Sequence, residues 1–203
     1  MKIKYKTPLI IFLATFLTGA IVTYVDYSFN QDLIKNAQMK ELRKVSSFIQ
    51  NEIIRKSKKA IGQASLIAHE PWVQKAFSEE DRTLLAESLI PAFKIQKEKY
   101  GVIEATFWST PATAFLRLYN PEKFGDDESS LRSMILATNL QQEAKRGVEI
   151  ARDGIAIRGT VTIKYEKKLI GCFEVAISFS EILKVIKKDL RFDVGLFIDN
   201  EKI

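Results

Sequence analysis

A short stretch in the middle of the chain, FLRLYNPEKFGDD at residues 115–127, carries residue types that bind small anions. In an extended strand, alternation places Phe115, Arg117 and Tyr119 on one face and the two leucines on the other. A guanidinium group flanked by two aromatic rings can form paired hydrogen bonds with a carboxylate. The sequence therefore predicts that Arg117 anchors a ligand. The alternative is an internal ion pair with one of the two aspartates that end the stretch.

Two further arginines and a tryptophan are candidates for the same pocket. Arg158 lies in AIRGT, where alternation separates it from the neighbouring isoleucines and Gly159 allows a close approach of the backbone. Arg132 stands four residues after Glu128 and either pairs with it on a helix or contributes to the pocket. Trp108 either walls the pocket or packs in the core. Together these side chains predict a small cavity that is partly apolar and has cationic anchors.

The residues that would indicate catalysis or a cofactor are missing. No nucleotide-binding loop, nucleophile elbow or zinc-protease motif occurs in the sequence. Asp126 and Asp127 are adjacent, so their carboxylates do not converge on one substrate, and we interpret them as the cap of a following helix. Cys172 and His69 are each the sole residue of their type, which argues against a disulfide, a metal site or a catalytic pair. We expect neither an enzyme nor a cofactor.

The net charge of the chain is mildly positive and spread along its length. The 203 residues carry a formal charge of +6, and their lysines are scattered rather than clustered. A nucleic-acid-binding surface concentrates its basic residues in one patch. The sequence therefore predicts no nucleic-acid partner.

The N-terminus is typical of a membrane anchor. Three lysines in MKIKYK precede residues 7–25, which contain no charge, and Asp26 follows them with tyrosines on either side. A helix of this length rises about 28 Å, close to the thickness of the hydrocarbon core of a bilayer. The alternative is a cleaved signal peptide that ends near Ala20. Either interpretation predicts a bacterial inner-membrane protein with most of the chain in the periplasm or outside the cell.

A long amphipathic helix is predicted to follow the anchor. Apolar residues recur at three- and four-residue spacing from Gln31 to about Ile67, where no proline occurs. The apolar stripe packs either on the chain's own sheet or on a second copy, so a homodimer through this helix is one expectation. A further helix is predicted to end at Gly101 and to be kinked or divided at Pro91.

After Gly101 the apolar period changes from helical to alternating. We predict a helix from the GDD aspartates to Gly147, a hairpin that turns at residues 166–168, a short helix opened by Ser180, and a last strand at 192–199. The predicted strands are VIEATFW, TAFLRLY, GIAIRGTVTIKY, LIGCFEVAISF and FDVGLFID. This order predicts an α+β fold in which helices flank an antiparallel sheet.

The combined motifs resemble a known family of sensor domains. They are an F-L-R strand, a P-x-x-x-G-D-D turn, a helix with an early arginine, and a G-x-x-I-R-G strand that precedes a glycine-containing strand pair. Over residues 30–203 the chain resembles the extracytoplasmic double Cache sensor region of bacterial methyl-accepting chemotaxis receptors. Some sensor kinases and diguanylate cyclases carry the same region.

This resemblance implies a PAS-like sheet that holds a small ligand, with Arg117, Arg158, Asp126 and Asp127 at the family's motif positions. It implies an anchor at 1–29, a long helix at 30–69 and a sensor lobe at 70–203. A second lobe and a signalling region would follow, so the chain is expected to be a fragment. The expected function is sensing a small molecule, such as a carboxylate, for a chemotaxis receptor. The alternatives are a kinase or cyclase sensor, or a tethered protein-interaction domain without a ligand.

Overall fold

The computed structural model describes residues 6–152, 154–190 and 195, with side chains described from Ile10 onwards. The chain divides into two compact units, residues 1–48 and 49–203. The first lysines of the predicted anchor lie outside the described residues, as does the predicted last strand at 192–199 apart from residue 195.

The first helix, α1, spans Lys6–Ala68 and contributes to both units. Among the described residues it is the one helix long and apolar enough to cross a membrane, although a signal sequence meets the same criteria. Thr15, Thr18 and Thr23 return their hydroxyl hydrogen bonds to carbonyls of the preceding turn at 2.9–3.0 Å. These hydroxyl groups therefore need no water, which suits an apolar environment.

Two more helices belong to the second unit, α2 at Pro71–Ser78 and α3 at Arg82–Tyr100. The Asp81 side chain caps α3 by accepting a hydrogen bond from the Leu84 amide at 2.9 Å. Gly101 ends the helix in the left-handed conformation, with φ of 71°, as the sequence predicted. Pro91 lies inside α3, but it does not divide the helix.

Five strands within the described residues form one antiparallel sheet in the order β2-β1-β5-β4-β3. They are β1 Val102–Ser109, β2 Thr113–Arg117, β3 Lys145–Ala151, β4 Gly154–Tyr165 and β5 Lys168–Ser178. α4 spans Ser133–Gln141, and α5 at Ser180–Val185 continues into a π-helical turn at Ile186–Leu190. The predicted α+β fold is confirmed, and so is the β4–β5 hairpin, whose turn holds Glu166 and Lys167 at positive φ.

The two faces of this sheet differ in character. On the helix face, α1, α2 and α3 cover an apolar core in which the rings of Phe107 and Phe173 lie 4.5 Å apart. On the α4 face, a smaller apolar cluster contains Trp108, Ile135 and Cys172, and charged side chains surround it. We use these two names below.

Between β2 and β4 the structure differs from the predicted secondary structure. The predicted helix from the GDD aspartates to Gly147 is wrong at both ends, since α4 begins at Ser133 and Gly147 lies within β3. Asp126 does not cap a helix because it binds an arginine, and Asp127 forms an isolated bridge with Thr113. β3 itself was not predicted from the sequence.

Candidate functional site

A β-bulge decides which way the residues around Arg117 point. The β1–β2 register shifts between Phe107 and Trp108, which pair with Leu116 and Ala114, so Phe115 is an extra residue. The Phe115 ring lies 4.9 Å from that of Phe77 in the helix-face core. Arg117 belongs to the α4 face, where it contacts Trp108. The prediction that Phe115 shares one face with Arg117 and Tyr119 is therefore wrong for Phe115.

Tyr119 lies beyond the end of β2. It is half-buried and packs against the helix-face core, together with Phe115. Phe115 therefore supports the sheet from the side opposite the Arg117 contacts. Tyr119 also lies close enough to Arg117 for its phenol to help raise the pKa of the guanidinium. Their predicted role in lining a ligand pocket remains a prediction.

The Arg117 guanidinium is buried and bound by several internal acceptors. It donates to both carboxylate oxygens of Asp126 at 2.6 and 2.7 Å, to Glu128 at 2.9 Å and to the Lys123 carbonyl at 3.0 Å. The internal ion pair that the sequence left open is thus confirmed with Asp126. Hydrogen bonds from Arg117 hold the pKa of the Asp126 carboxyl well below its usual range. Burial raises the pKa of the Glu128 carboxyl, and the hydrogen bond with Asp126 adds to this shift.

Arg132 lies at the start of α4 and binds three carboxylates. Its Nη1 atom lies 3.8 Å from Glu128, which is the predicted i,i+4 pair. Its closer contacts are with Glu149, at 3.0 Å, and with Glu174 through Nη2. Glu149 also accepts a hydrogen bond from the amide of Met134 at 2.8 Å. This carboxylate therefore ties the first turn of α4 to the edge strand β3.

Arg158 is completely buried on β4 and is only partly satisfied. Its Nη1 atom donates to Glu104 at 2.5 Å and to Glu174 at 2.7 Å. Burial opposes its charge, yet the charges of Glu174 and Glu104 keep the pKa of the guanidinium raised. The Nε and Nη2 atoms are buried and have no hydrogen-bond partner among the described residues. Buried donors of this kind are costly and rare.

Trp108 lies between two of the arginines. The Arg132 and Arg117 guanidinium carbons lie 4.8 and 5.7 Å from its ring centroid. Its indole Nε1 atom is also buried without a partner in the described part of the chain. Trp108, Arg117, Arg132 and Arg158 therefore meet on the α4 face, and their predicted role in one ligand site remains a prediction.

We call these buried charges the arginine cluster. Its members are Arg117, Arg132, Arg158, Glu104, Asp126, Glu128, Glu149 and Glu174. The cluster contains more carboxyl groups than guanidinium groups, so it favours a bound molecule that carries a positive charge.

Sequence reasoning missed most of the acidic members of the cluster. Glu104 and Glu174 each interrupt an apolar strand, in VIEATFW and GCFEVAISF. A charge in such a strand indicates a buried partner, and this signal was available. Glu149 was harder to find because β3 itself was not predicted.

The chemistry of the arrangement is that of binding. Cys172 lies on the same face, where burial raises the pKa of its thiol and disfavours the reactive thiolate. Within residues 6–152 and 154–190, no group of three or more histidine, cysteine or acidic side chains is placed to hold a metal ion. The cluster offers hydrogen-bond donors and an electrostatic environment rather than a nucleophile with a base.

Comparison with known proteins agrees with this fold. A family model described as "Double sensory domain of two-component sensor kinase" matches residues 35–203. No curated protein matches the sequence.

Several solved structures share the fold at low sequence identity. The sensor domain of the Vibrio cholerae histidine kinase DctB has a TM-score of 0.60 at 10% identity, over 73% of this chain and 59% of that one. A domain of a putative sensory box/GGDEF family protein from Vibrio parahaemolyticus scores 0.52 at 12% identity, over 73% and 63%. The ligand-binding domain of the Campylobacter jejuni chemoreceptor Tlp3, in complex with L-valine, scores 0.50 at 14% identity, over 72% and 60%. The chain thus spans about three fifths of the length of each of these structures.

Proposed function

Because the chain belongs to the family of double sensory domains of two-component sensor kinases, the Cache type that its motifs predicted, we propose that it binds a small polar ligand at the arginine cluster. Its family is one of ligand-binding modules rather than catalytic ones, and it serves membrane receptors on the extracytoplasmic side. The proposal concerns the place of binding, the chemistry of the ligand and the route of the signal.

Three unsatisfied donor atoms carry the proposal. The Nε and Nη2 atoms of Arg158 and the Nε1 atom of Trp108 are buried on the α4 face without hydrogen-bond partners among the described residues, although Glu149 lies 3.9 Å from Nε. A carboxylate or carbonyl oxygen of a ligand would satisfy them, and a guanidinium edge offering two donors suits a carboxylate. Arg117 already holds Asp126 and Glu128, so Arg158 is the better anchor.

The charge balance of the cluster restricts the ligand further. A dianion would meet the excess of carboxyl groups, and its burial there would be unfavourable. A zwitterion satisfies both conditions, because its carboxylate reaches the free donors and its cationic group faces an acidic side chain such as Glu149. We therefore propose a small amino-acid-like molecule in place of a simple carboxylate.

A route from the site to α1 follows from two adjacent residues of β4. Arg158 points into the cluster, and Gly159 is in direct contact with the backbone of α1 on the helix face. A ligand that pulls on Arg158 would shift β4 against α1, and a packed interface of this kind responds by discrete rearrangement. A dimer through α1 would transmit the shift between two copies.

The proposed receptor lies in the bacterial inner membrane, with α1 as its anchor. Residues 7–25 would cross the bilayer, and the second unit would lie in the periplasm or outside the cell. Alkaline carbonate extraction of cell membranes tests the anchor, because an uncleaved span stays in the pellet and a cleaved product is soluble.

The receptor would signal either as a sensor kinase or as a chemotaxis receptor. A sensor kinase agrees with the description of the matched family, whereas a chemotaxis receptor was the expectation from the motifs. A phosphotransfer assay on the whole receptor distinguishes the two, because only a kinase transfers phosphate to its own histidine.

Trp108 provides a direct test of ligand binding. The chain contains one other tryptophan, Trp72, which is 40% exposed. Replacing Trp72 by phenylalanine leaves Trp108 as the sole fluorophore in the full chain in detergent. In a screen of amino acids and small carboxylates, we expect a ligand to change this emission and raise the melting midpoint.

Two substitutions then locate the ligand. Trp108→Phe keeps a ring beside Arg132 but removes the donor, and we expect it to weaken binding roughly tenfold. Binding to this variant is measured by the shift in melting midpoint, because the fluorophore is gone. The matched control is Arg55→Lys, since Arg55 pairs with Glu52 on the exposed side of α1. A screen in which no compound alters the emission or the midpoint would contradict the proposal.

One observation favours a second candidate function. Arg117 and Arg132 are bound entirely by the chain's own groups, as expected for a structural network. A tethered protein-interaction domain without a small ligand would retain such a network unchanged. That outcome predicts identical melting midpoints throughout the screen.

A further inference from the structure

A cavity of about 140 Å³ lies on the helix face, between the end of α1, α3 and strands β1 and β5. Leu89, Phe93 and Phe173 form its floor and are buried. Leu66 and Ala92 stand at its exposed rim, so a molecule can reach it without unfolding the sheet. An engineered cavity of about 150 Å³ with a similar apolar lining stays dry and binds benzene. The size and lining therefore suit one small ring.

Two polar residues, Gln63 and Gln96, line the cavity, and one of their hydrogen-bond acceptors has no donor. Gln63 donates through Nε2 to Oε1 of Gln96 at 2.5 Å. The Oε1 atom of Gln63 is buried and has no hydrogen-bond partner in the described part of the chain. A buried carbonyl oxygen without a donor is unfavourable, and apart from the two glutamines the residues that line the cavity are apolar. A ligand with one O–H or N–H group would do so.

We propose that this cavity is a second ligand site, specific for a ring-sized apolar molecule that carries one hydroxyl group. The ring would pack among Leu89, Phe93 and Phe173, and the hydroxyl would donate to Oε1 of Gln63. Charged molecules are excluded, because the lining offers no partner for a charge.

This site is independent of the arginine cluster. It lies on the opposite face of the sheet and shares no lining residue with the cluster. An occupant would contact α1 and α3 together and so strengthen the packing of α1 on the sensor lobe. Failure of either proposal leaves the other intact.

Fluorine NMR of two probes tests the proposal on the full chain in detergent micelles. 4-Fluorophenol has the ring and the hydroxyl, whereas fluorobenzene has the ring alone. We expect both to bind the wild-type protein. Ala92→Phe places a ring in the mouth of the cavity from an exposed position of α3, and we expect it to weaken both probes at least tenfold. Both probes partition into the micelles, and this background is the same for wild type and variant.

The Gln63→Leu variant tests the hydroxyl contact. Loss of one hydrogen bond predicts roughly twofold to tenfold weaker binding of 4-fluorophenol, with fluorobenzene unchanged or tighter. Equal weakening of both probes would overturn the assigned contact, and unchanged binding to Ala92→Phe would overturn the site. If the phenylalanine variant fails to fold by circular dichroism, Ala92→Leu fills the same mouth with a smaller side chain and decides the question.

Discussion

Gly159 lies directly against the backbone of Ile61, so that strand β4 and helix α1 touch without an intervening side chain. A Cβ atom added to the glycine would stand 2.3 Å from the Ile61 nitrogen. The small residues Ala60 and Ala64 of α1 are fully buried at the same interface. α1 can therefore approach the sheet this closely because Gly159 has no side chain and the side chains of Ala60 and Ala64 are single methyl groups.

Gly159→Ala should force α1 away from β4. Because the obstructing atoms belong to the helix backbone, they cannot rotate aside, and we expect a loss of roughly 1–3 kcal/mol or more in the free energy of unfolding. Urea denaturation of the full chain measures it. Gly147→Ala on β3 is the matched control, since its Cβ would meet only Met134 at an ordinary 3.6 Å. Equal stability of the two variants would show that the contact does not constrain α1.

Arg158→Met should be among the most destabilising single substitutions in the lobe. It leaves Glu104 without its buried partner and deprives Glu174 of one of two, which typically costs about 3–5 kcal/mol. Adding Glu104→Gln should recover part of this loss, because the uncompensated charge disappears. Arg55→Met, which removes an exposed pair, should change stability by less than about 1 kcal/mol. If Arg55→Met and Arg158→Met cost the same, the cluster does not contribute to stability as described.

The stability of the lobe should fall in acid because of Asp126. The pKa of this carboxyl is lower in the folded chain than in the unfolded one, so its ion pair with Arg117 stabilises the fold above pH about 4 and is lost as protons bind below it. Glu128, whose pKa is raised, contributes in the opposite direction. The double variant Asp126→Asn, Glu128→Gln removes both effects.

Arg117 binds Asp126 through two hydrogen bonds and Glu128 through one, so we expect the effect of Asp126 to dominate. Urea midpoints of the double variant should then fall less than those of the wild type between pH 6 and pH 3. Asp127→Asn is the control, since that carboxylate is exposed and bonds only to Ser129 in the described structure. A double variant with the acid sensitivity of the wild type would contradict the assignment.

The cap of α3 should contribute measurably to stability. Asp81→Ala removes the hydrogen bond to the Leu84 amide, and a loss of about 1 kcal/mol is expected from such caps. Thermal unfolding followed by circular dichroism measures the change. Glu70 occupies the same position before α2 but makes no capping hydrogen bond with its side chain, so Glu70→Ala should have little effect. A cap contribution confined to Glu70 would refute the prediction.

The sequence predicted those features that depend on local periodicity and turn chemistry. The end of α3 at Gly101 and the β4–β5 hairpin both follow from residues close together in the chain. Features set by distant partners were missed. The bulge at Phe115 depends on pairing with β1, and β3 is an edge strand with a mixed polar pattern.

The candidate site shows the same division. Arg117 and Arg158 were found from the alternation of their strands, and Arg132 from its spacing to Glu128. Trp108 was proposed as a wall of the same pocket. The sequence could not predict which arginine has donors left for a ligand. That depends on carboxylates distant in the chain, such as Glu104 and Glu174, which bind Arg158. For Asp126 the sequence left two roles open, a helix cap and an ion pair with Arg117, and only the fold decides for the ion pair.

The position of β5 between β1 and β4 has a consequence for how the chain folds. β1 at Val102–Ser109 is joined to the sheet core by β5 at Lys168–Ser178, which emerges much later from the ribosome. Until then β1 and β2 form an isolated hairpin, and such hairpins are marginally stable in water. Pairing over so long a stretch raises the contact order and slows folding. We therefore expect the β4–β5 hairpin to form first, and the α4 face to be completed in the last step, when β1 docks.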